Sequence, residues 1–141
     1  MVGAAVAYAG FGFIFLVLFL LLFLEVIMRI LFTGSRHWNN AAPVAAIINS
    51  LPDHAIVIHG AARGLDSLAG SLAEQRGLTV ESYPADWNRY GRSAGIRRNE
   101  YMASLGADIC FAFPLQGSKG TKHMVTHARG LNIPVFIHDF R

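Results

Sequence analysis

The chain has 141 residues, of which 53% are hydrophobic, and a formal net charge of +3 at pH 7. This length accommodates one domain with a short extension. The positive charge suits a small anionic ligand and is too low to indicate DNA binding by itself. The single cysteine, Cys110, excludes an internal disulfide, and its apolar surroundings in the sequence predict a small core residue.

An apolar run without any charged residue covers residues 2–24. As one helix this run would extend about 35 Å, enough to cross a hydrocarbon core of about 30 Å. It predicts a transmembrane helix within residues 1–27, with the membrane as a partner. Arg29 and Arg36 follow the run and no basic residue precedes it, so we expect a single-pass membrane protein with a cytoplasmic domain over 28–141. The alternative is a cytoplasmic protein that starts at Met28.

Short runs rich in β-branched and aromatic residues alternate with helical patterns from residue 29 onward. Helical patterns cover 43–51, 66–77, 95–106 and 122–130. This alternation predicts an α/β fold with a Rossmann-like open parallel sheet of about five strands and helices on both faces, preceded by the hydrophobic N-terminal helix. The predicted strands are 29–33, 55–59, 78–83, 108–113 and 134–139.

Gly–polar segments follow the strands of this predicted sheet. Ligands of such sheets bind outside the carboxyl ends of the strands. These segments hold most of the Gly–polar clusters of the chain and its densest basic stretch, so they predict the functional site. They are GSRHW (34–38), GAARGLD (60–66), PADWNRYGRSAGIRRN (84–99) and PLQGSKGT (114–121).

The segment GSKGT, residues 117–121, lies between a predicted strand and a predicted helix. Its two glycines allow backbone N–H groups to form an anion-binding nest, and the helix adds positive charge at its N-terminus. Ser118 and Thr121 add hydroxyl donors. The alternative is a plain loop in which Thr121 is the N-cap of the helix.

The segment TGSR, residues 33–36, ends the first predicted strand. Gly34 permits a close approach of the ligand, Ser35 has a hydroxyl that can bind phosphate, and Arg36 can bind it bidentately. The alternative is a turn with a solvated arginine. The segment lacks the GxGxxG pattern, which disfavours a standard NAD site, and we expect no cofactor.

Asp66 has two interpretations, a helix cap or a carboxylate that accepts hydrogen bonds from ribose hydroxyls. Arg97 and Arg98 lie near the start of a helix, where the dipole disfavours cations, so they indicate an anionic partner; the alternative is a solvated helix face. Trp87 and Tyr90 precede them and can stack on a base or pack on the sheet edge. The six histidines do not form a metal-binding pattern, and no GxSxG hydrolase motif is present.

Together, RILFTGSRHW, VIHGAARGLDSLA, YPADWNRYGRSAGIRRNEYM and GSKGT resemble the YspA/YpsA-related branch of the SLOG superfamily. That superfamily also includes the Lonely guy phosphoribohydrolases and the DprA DNA-processing proteins. The resemblance covers nearly all of 28–141 and implies a nucleotide or nucleotide-derived ligand. The ligand-facing residues that it implies are Gly34, Ser35, Arg36, Gly60, Gly64, Asp66, Arg98, Asn99, Gly117, Ser118, Gly120 and Thr121.

The sequence departs from the Lonely guy enzymes at a catalytic position. Those enzymes carry a Glu three residues after the Thr of their GGxGT motif, where this chain has Met124. We therefore expect a binding module for a nucleotide-like small molecule. One alternative is a phosphoribohydrolase-type enzyme, with Arg98 and Asp66 as the candidate catalytic residues; another is a DprA-like single-stranded DNA binder, which the low net charge disfavours. The sequence leaves the ligand and the oligomeric state open.

Overall fold

The computed structural model describes residues 12–20 and 27–139. Within these ranges the chain forms a five-stranded sheet in which every pairing is parallel. The strand order is β3-β2-β1-β4-β5. The predicted open parallel sheet is confirmed. Its strands are β1 (Arg29–Gly34), β2 (Ile56–His59), β3 (Thr79–Ser82), β4 (Ile109–Phe113) and β5 (Val135–Ile137).

Helices connect these strands, and each of the four predicted helices is present with its ends shifted by up to three residues. The prediction missed a short helix, α4, together with the single 3-10 turn that follows it at Gly91–Ser93. The described helices are α1 (residues 12–20), α2 (Ala41–Ser50), α3 (Leu65–Gln75), α4 (Trp87–Tyr90), α5 (Ala94–Ser104) and α6 (Lys119–Gly130).

Alternation along β1 gives the sheet two buried faces. Ile30 and Phe32 point to one face, where they pack with Val44 of α2 and Leu65 of α3. Leu31 points to the other face, among residues of α5 and α6. Burial on both faces explains why the three consecutive residues Ile30, Leu31 and Phe32 of β1 are all apolar.

The order of the strands places a crevice at the end of β1. The chain proceeds from β1 to β2 and β3 on one side, and then crosses to β4 and β5 on the other side. The chain segments that follow β1 and β4 therefore lead to opposite sides of the sheet. Open α/β sheets bind ligands in the crevice between two such segments, at the carboxyl ends of the strands. The backbone pairing extends to this edge, since the Ser35 N–H donates to the Phe113 carbonyl at 3.0 Å.

The predicted transmembrane helix is not found. Across residues 12–20 and 27–139, no helix is long and apolar enough to cross a membrane. The prediction of a single-pass membrane protein, with the membrane as a partner, is therefore wrong. Residues 2–11 and 21–24 of the predicted span lie outside the described residues.

Arg29, which the sequence analysis assigned to the membrane boundary, is bound within the domain. Its guanidinium donates to both carboxylate oxygens of Glu81 at 2.9 Å and to the Gly106 carbonyl at 3.0 Å. This pairing lowers the pKa of the Glu81 carboxyl. The charge of Arg29 therefore connects β1 to β3, at the opposite end of β1 from the crevice.

Candidate functional site

A cavity of about 470 Å³ opens at the crevice between β1 and β4. We call it the first cavity. Ten of the twelve residues proposed from the sequence line it: Gly34, Ser35, Arg36, Asp66, Arg98, Asn99, Gly117, Ser118, Gly120 and Thr121. The other two do not. Gly60 lines a neighbouring hollow, and Gly64 lines neither space.

The N-terminus of α6 faces the first cavity with unbonded backbone donors. Ser118 occupies the N-cap position, yet its side chain caps no amide of the helix. Its hydroxyl instead accepts a hydrogen bond from the Leu115 N–H at 3.1 Å, which stabilises the preceding turn. The N–H groups of Gly120 and Thr121 find no acceptor in the described part of the chain. These amides and the helix dipole give this wall of the cavity a positive electrostatic potential.

Three nearly buried hydroxyls line the same cavity. Thr33, Ser35 and Thr121 are only 8%, 6% and 3% exposed. The Ser35 hydroxyl accepts from the His37 N–H at 3.1 Å, which leaves its own proton available to donate. The Thr121 hydroxyl has no hydrogen-bond partner among residues 12–20 and 27–139, and its oxygen is open to the cavity because no buried side-chain oxygen of these residues lacks a partner. The sequence analysis did not single out Thr33, because a threonine at the end of a strand is an ordinary β-forming residue.

In the β2–α3 loop, residues 60–64, the first three backbone N–H groups donate to nearby side chains. The Asp66 Oδ2 atom accepts from the N–H groups of Gly60 at 3.0 Å and Ala62 at 3.3 Å. The His59 Nδ1 atom accepts from Ala61 N–H at 3.0 Å, so this imidazole is neutral with its proton on Nε2. Burial lowers the pKa of His59 and raises the pKa of Asp66 to about 6. Asp66 is not the N-cap of α3, which was one of its two interpretations from the sequence. It is the second residue of the helix, and its carboxylate stabilises the loop.

Arg98 donates to backbone carbonyls of two separate segments. Its Nη1 donates to the Gly60 carbonyl and, at 3.2 Å, to the Tyr83 carbonyl. Its Nε donates at 2.9 Å to the side chain of Asn99, whose Nδ2 donates in turn to the Gly120 carbonyl at 3.2 Å. Burial lowers the pKa of this guanidinium. Arg98 and Asn99 therefore hold the β2–α3 loop, β3 and α6 together beside the cavity.

Arg36 differs from Arg98 because it is exposed. It makes no hydrogen bond or ion pair with any described residue, and its guanidinium lies 5.5 Å from the ring centre of Trp87. Arg97 points elsewhere and lies over Tyr90 at 4.6 Å. Of the two adjacent arginines in the sequence, only Arg98 lines the cavity.

Gly64 supports the cavity wall from outside it. Its φ of +73° is favourable for glycine, and a Cβ there would collide with the Ser35 carbonyl and the backbone of Arg36. In the same region the Leu65 N–H donates to the Ser35 carbonyl at 3.1 Å. Gly64 therefore allows the start of α3 to pack directly against the turn after β1.

The position of the Lonely guy catalytic glutamate lies in the core. Met124 is fully buried beside Leu31 and Cys110 and does not line the cavity. Glu100 is half exposed and lies 4.0 Å from the Nε2 atom of His123. Among the described residues, no group of three or more His, Cys, Asp or Glu side chains could hold a metal ion.

Comparisons with known proteins agree on the family and the fold. The profile of the YspA, cpYpsA-related SLOG family matches residues 28–90. The Gene 61 protein of Mycobacterium phage D29 is 40% identical over 116 residues, which cover 76% of this chain and 93% of the phage protein.

An X-ray structure of DNA processing protein A (DprA) from Streptococcus pneumoniae superposes with a TM-score of 0.63 at 17% identity, over 79% of this chain and 50% of DprA. The chain thus spans half the length of that protein, and the likeness shows a shared fold. The extent and identity of the match to the phage protein establish the family: the chain belongs to the YspA, cpYpsA-related SLOG family.

Proposed function

We propose that residues 28–141 bind a nucleotide or nucleotide-derived ligand in the first cavity, with a phosphoryl group at the N-terminus of α6. The observation that carries this proposal is the pair of unbonded amides, at Gly120 and Thr121, that face a cavity at the switch point of the sheet. The buried hydroxyls of Ser35 and Thr121 provide further donors for the same oxygen atoms. The exposed guanidinium of Arg36 lies at the rim, where it can pair with the phosphoryl charge.

The size and lining of the cavity suit the rest of a nucleotide. A volume of about 470 Å³ falls within the range of about 300–1,000 Å³ that is usual for small-molecule sites. Ile96 and Met102 supply apolar surface for a base, and the Asp66 carboxylate can accept hydrogen bonds from ribose hydroxyls. The phosphoryl, ribose and base of one nucleotide therefore have complementary groups within one cavity.

Titration calorimetry with AMP tests the proposal through Thr121→Val. This change removes the buried hydroxyl and keeps the shape of the side chain. We expect the affinity for AMP to fall about tenfold, as for the loss of a hydrogen bond to a charged group. The matched control is Thr126→Val, which removes an exposed hydroxyl from the same helix and should leave the affinity unchanged. Equal affinities of the two variants, or no binding of AMP, ADP-ribose, NAD or cyclic nucleotides, would contradict the proposal.

The second candidate function is hydrolysis of an N-glycosidic bond, which the raised pKa of Asp66 favours. A carboxyl that lines the cavity with a pKa raised to about 6 suits general acid–base catalysis near neutral pH. The release of free base from nucleoside monophosphates, lost in Asp66→Ala and Arg98→Ala, would support this activity. Recovery of intact AMP after long incubation would exclude it for that substrate.

Single-stranded DNA binding is the third candidate. The likeness to the DprA fold motivates it, together with exposed arginines at 89, 92 and 97 in the segment after β3. Two of these, Arg89 and Arg97, already lie over the ring of Tyr90, at 5.0 and 4.6 Å, so this ring is less available to a base. Affinity for oligonucleotides that falls steeply as salt rises would support this function.

A further inference from the structure

A second hollow of about 350 Å³ adjoins the first cavity. It lies between the β2–α3 loop and residues 84–87, which follow β3. Four residues line both spaces: Arg36, Ala62, Trp87 and Arg98. The two spaces are therefore neighbouring compartments of one cleft, separated by the side chains of these residues.

The lining of the second hollow is strongly basic. It contains Arg36, Arg63 and Arg98 and no Asp or Glu. Arg36 and Arg63 are exposed, and neither forms a hydrogen bond or ion pair with residues 12–20 or 27–139. Their donors are available to a ligand, whereas most donors of Arg98 are already bonded to protein carbonyls.

The nearest carboxylate does not neutralise this group of arginines. Asp66 lines the first cavity but not the second hollow, and its Oδ2 is committed to two backbone amides. Across both spaces the lining contains one acidic residue, Asp66, and the arginines outnumber it. The Asp66 carboxylate raises the pKa of Arg98, and the charge of Arg36 lowers it by a smaller amount. An anion placed between these arginines would relieve the repulsion.

We infer that the second hollow is a subsite for a second phosphoryl group of the bound nucleotide, held by Arg36 and Arg63 beside the indole of Trp87. The inference rests on the proposed function, because the first phosphoryl group and the nucleoside must occupy the first cavity. The inference also specifies the class of ligand. The ligand would be a nucleotide with two phosphoryl groups, either adjacent in a diphosphate or separated as two monophosphates, rather than a nucleoside monophosphate.

Titration calorimetry of the full chain at one ionic strength tests the inference with adenosine, AMP, ADP and adenosine 3′,5′-bisphosphate. We expect ADP or the bisphosphate to bind at least tenfold more tightly than AMP, and the better of the two distinguishes adjacent from separated phosphoryl groups. Arg63→Ala should remove this gain and leave the affinity for AMP within twofold. The matched control is Arg89→Ala, which removes the same charge from a residue outside both spaces and should keep the gain.

The outcomes separate the two proposals. Binding of AMP with no gain from a second phosphoryl group, or equal losses in Arg63→Ala and Arg89→Ala, would overturn the subsite and leave the proposed function standing. Failure of all four compounds to bind would overturn the proposed function together with the subsite. A gain that Arg63→Ala abolishes and Arg89→Ala preserves would establish the subsite.

Discussion

The N-termini of α3 and α6 both lie at the carboxyl edge of the sheet, yet they differ in their backbone donors. At α3, the Leu65 N–H donates to the Ser35 carbonyl at 3.1 Å, and the Ser67 N–H donates to the Ala62 carbonyl at 3.2 Å. At α6, the N–H groups of Gly120 and Thr121 have no acceptor in the described part of the chain. Among the first three N–H groups of each helix, only that of Asp66 lacks an acceptor within residues 12–20 and 27–139 at α3, whereas both Gly120 and Thr121 lack one at α6.

This difference divides the residues around the cavity into two roles. Asp66 and Arg98 bond to backbone groups of the β2–α3 loop, and Asn99 bonds to the Gly120 carbonyl of α6, so these residues support the cavity wall. Thr121 and Arg36 lack such bonds, so they are the better candidates for direct ligand contact. Mutations on the two sides should therefore give different signatures, loss of stability on the α3 side and loss of affinity on the α6 side.

Paired glycine substitutions should give the largest contrast. In Gly64→Ala the new Cβ meets the Ser35 carbonyl at a φ of +73°, so we expect the free energy of unfolding to fall by about 3 to 4 kcal/mol. In Gly120→Ala the new Cβ meets no atom within 4 Å, and a helix gains about 0.5 kcal/mol from this change. Urea denaturation of both variants measures the difference, and similar stabilities would contradict the distinction between the two helix starts.

The pH dependence of the free energy of unfolding tests the structural role of Asp66 on the α3 side of the cavity. Burial raises the pKa of Asp66 from 3.8 to about 6. Between pH 3.8 and about pH 6, the folded state therefore keeps a proton that the unfolded state has lost. Stability should therefore fall as pH rises from 4 towards 7, by about 3 kcal/mol at most.

The control for this pH effect is Asp66→Asn, which keeps an acceptor for the loop amides and cannot ionise. Its advantage over the natural chain in urea denaturation should grow as pH rises through 6. His59, whose lowered pKa favours stability at higher pH, titrates in both proteins and cancels in the difference. A difference that stays constant from pH 4 to pH 7 would show that folding does not raise the pKa of Asp66.

A comparison of the two cavity arginines sharpens the division of roles. Arg98→Met removes the hydrogen bonds to Gly60, Tyr83 and Asn99, and we expect the free energy of unfolding to fall by about 2 kcal/mol. Arg36→Ala removes an exposed side chain without such bonds and should cost less than about 0.5 kcal/mol. Thermal and urea denaturation of both variants check this, and an equal loss would mean that Arg36 is also part of the scaffold.

Much of the fold and of the candidate site could be predicted from local patterns. The five strands follow from short β-rich runs, and Gly77 and Gly106 mark the ends of helices through their positive φ. Parallel strands place their carboxyl ends at one edge, so the segments at 34–36 and 117–121 were expected to meet there, and they line one cavity. The membrane prediction depended on the count of apolar residues over 2–24, and no helix among the described residues is long and apolar enough to cross a membrane.

The sequence by itself determined the order of strands and helices, the family, and the edge of the sheet at which the polar turns collect, because each of these depends on residues close together in the chain. Only the tertiary structure decided which polar groups are already bonded. Arg98 reaches carbonyls at 60 and 83, and Gly64 packs on the turn at 35–36, contacts between segments distant in sequence. A donor bonded to a distant carbonyl is less available to a ligand, so the difference between supporting and binding residues arises from folding.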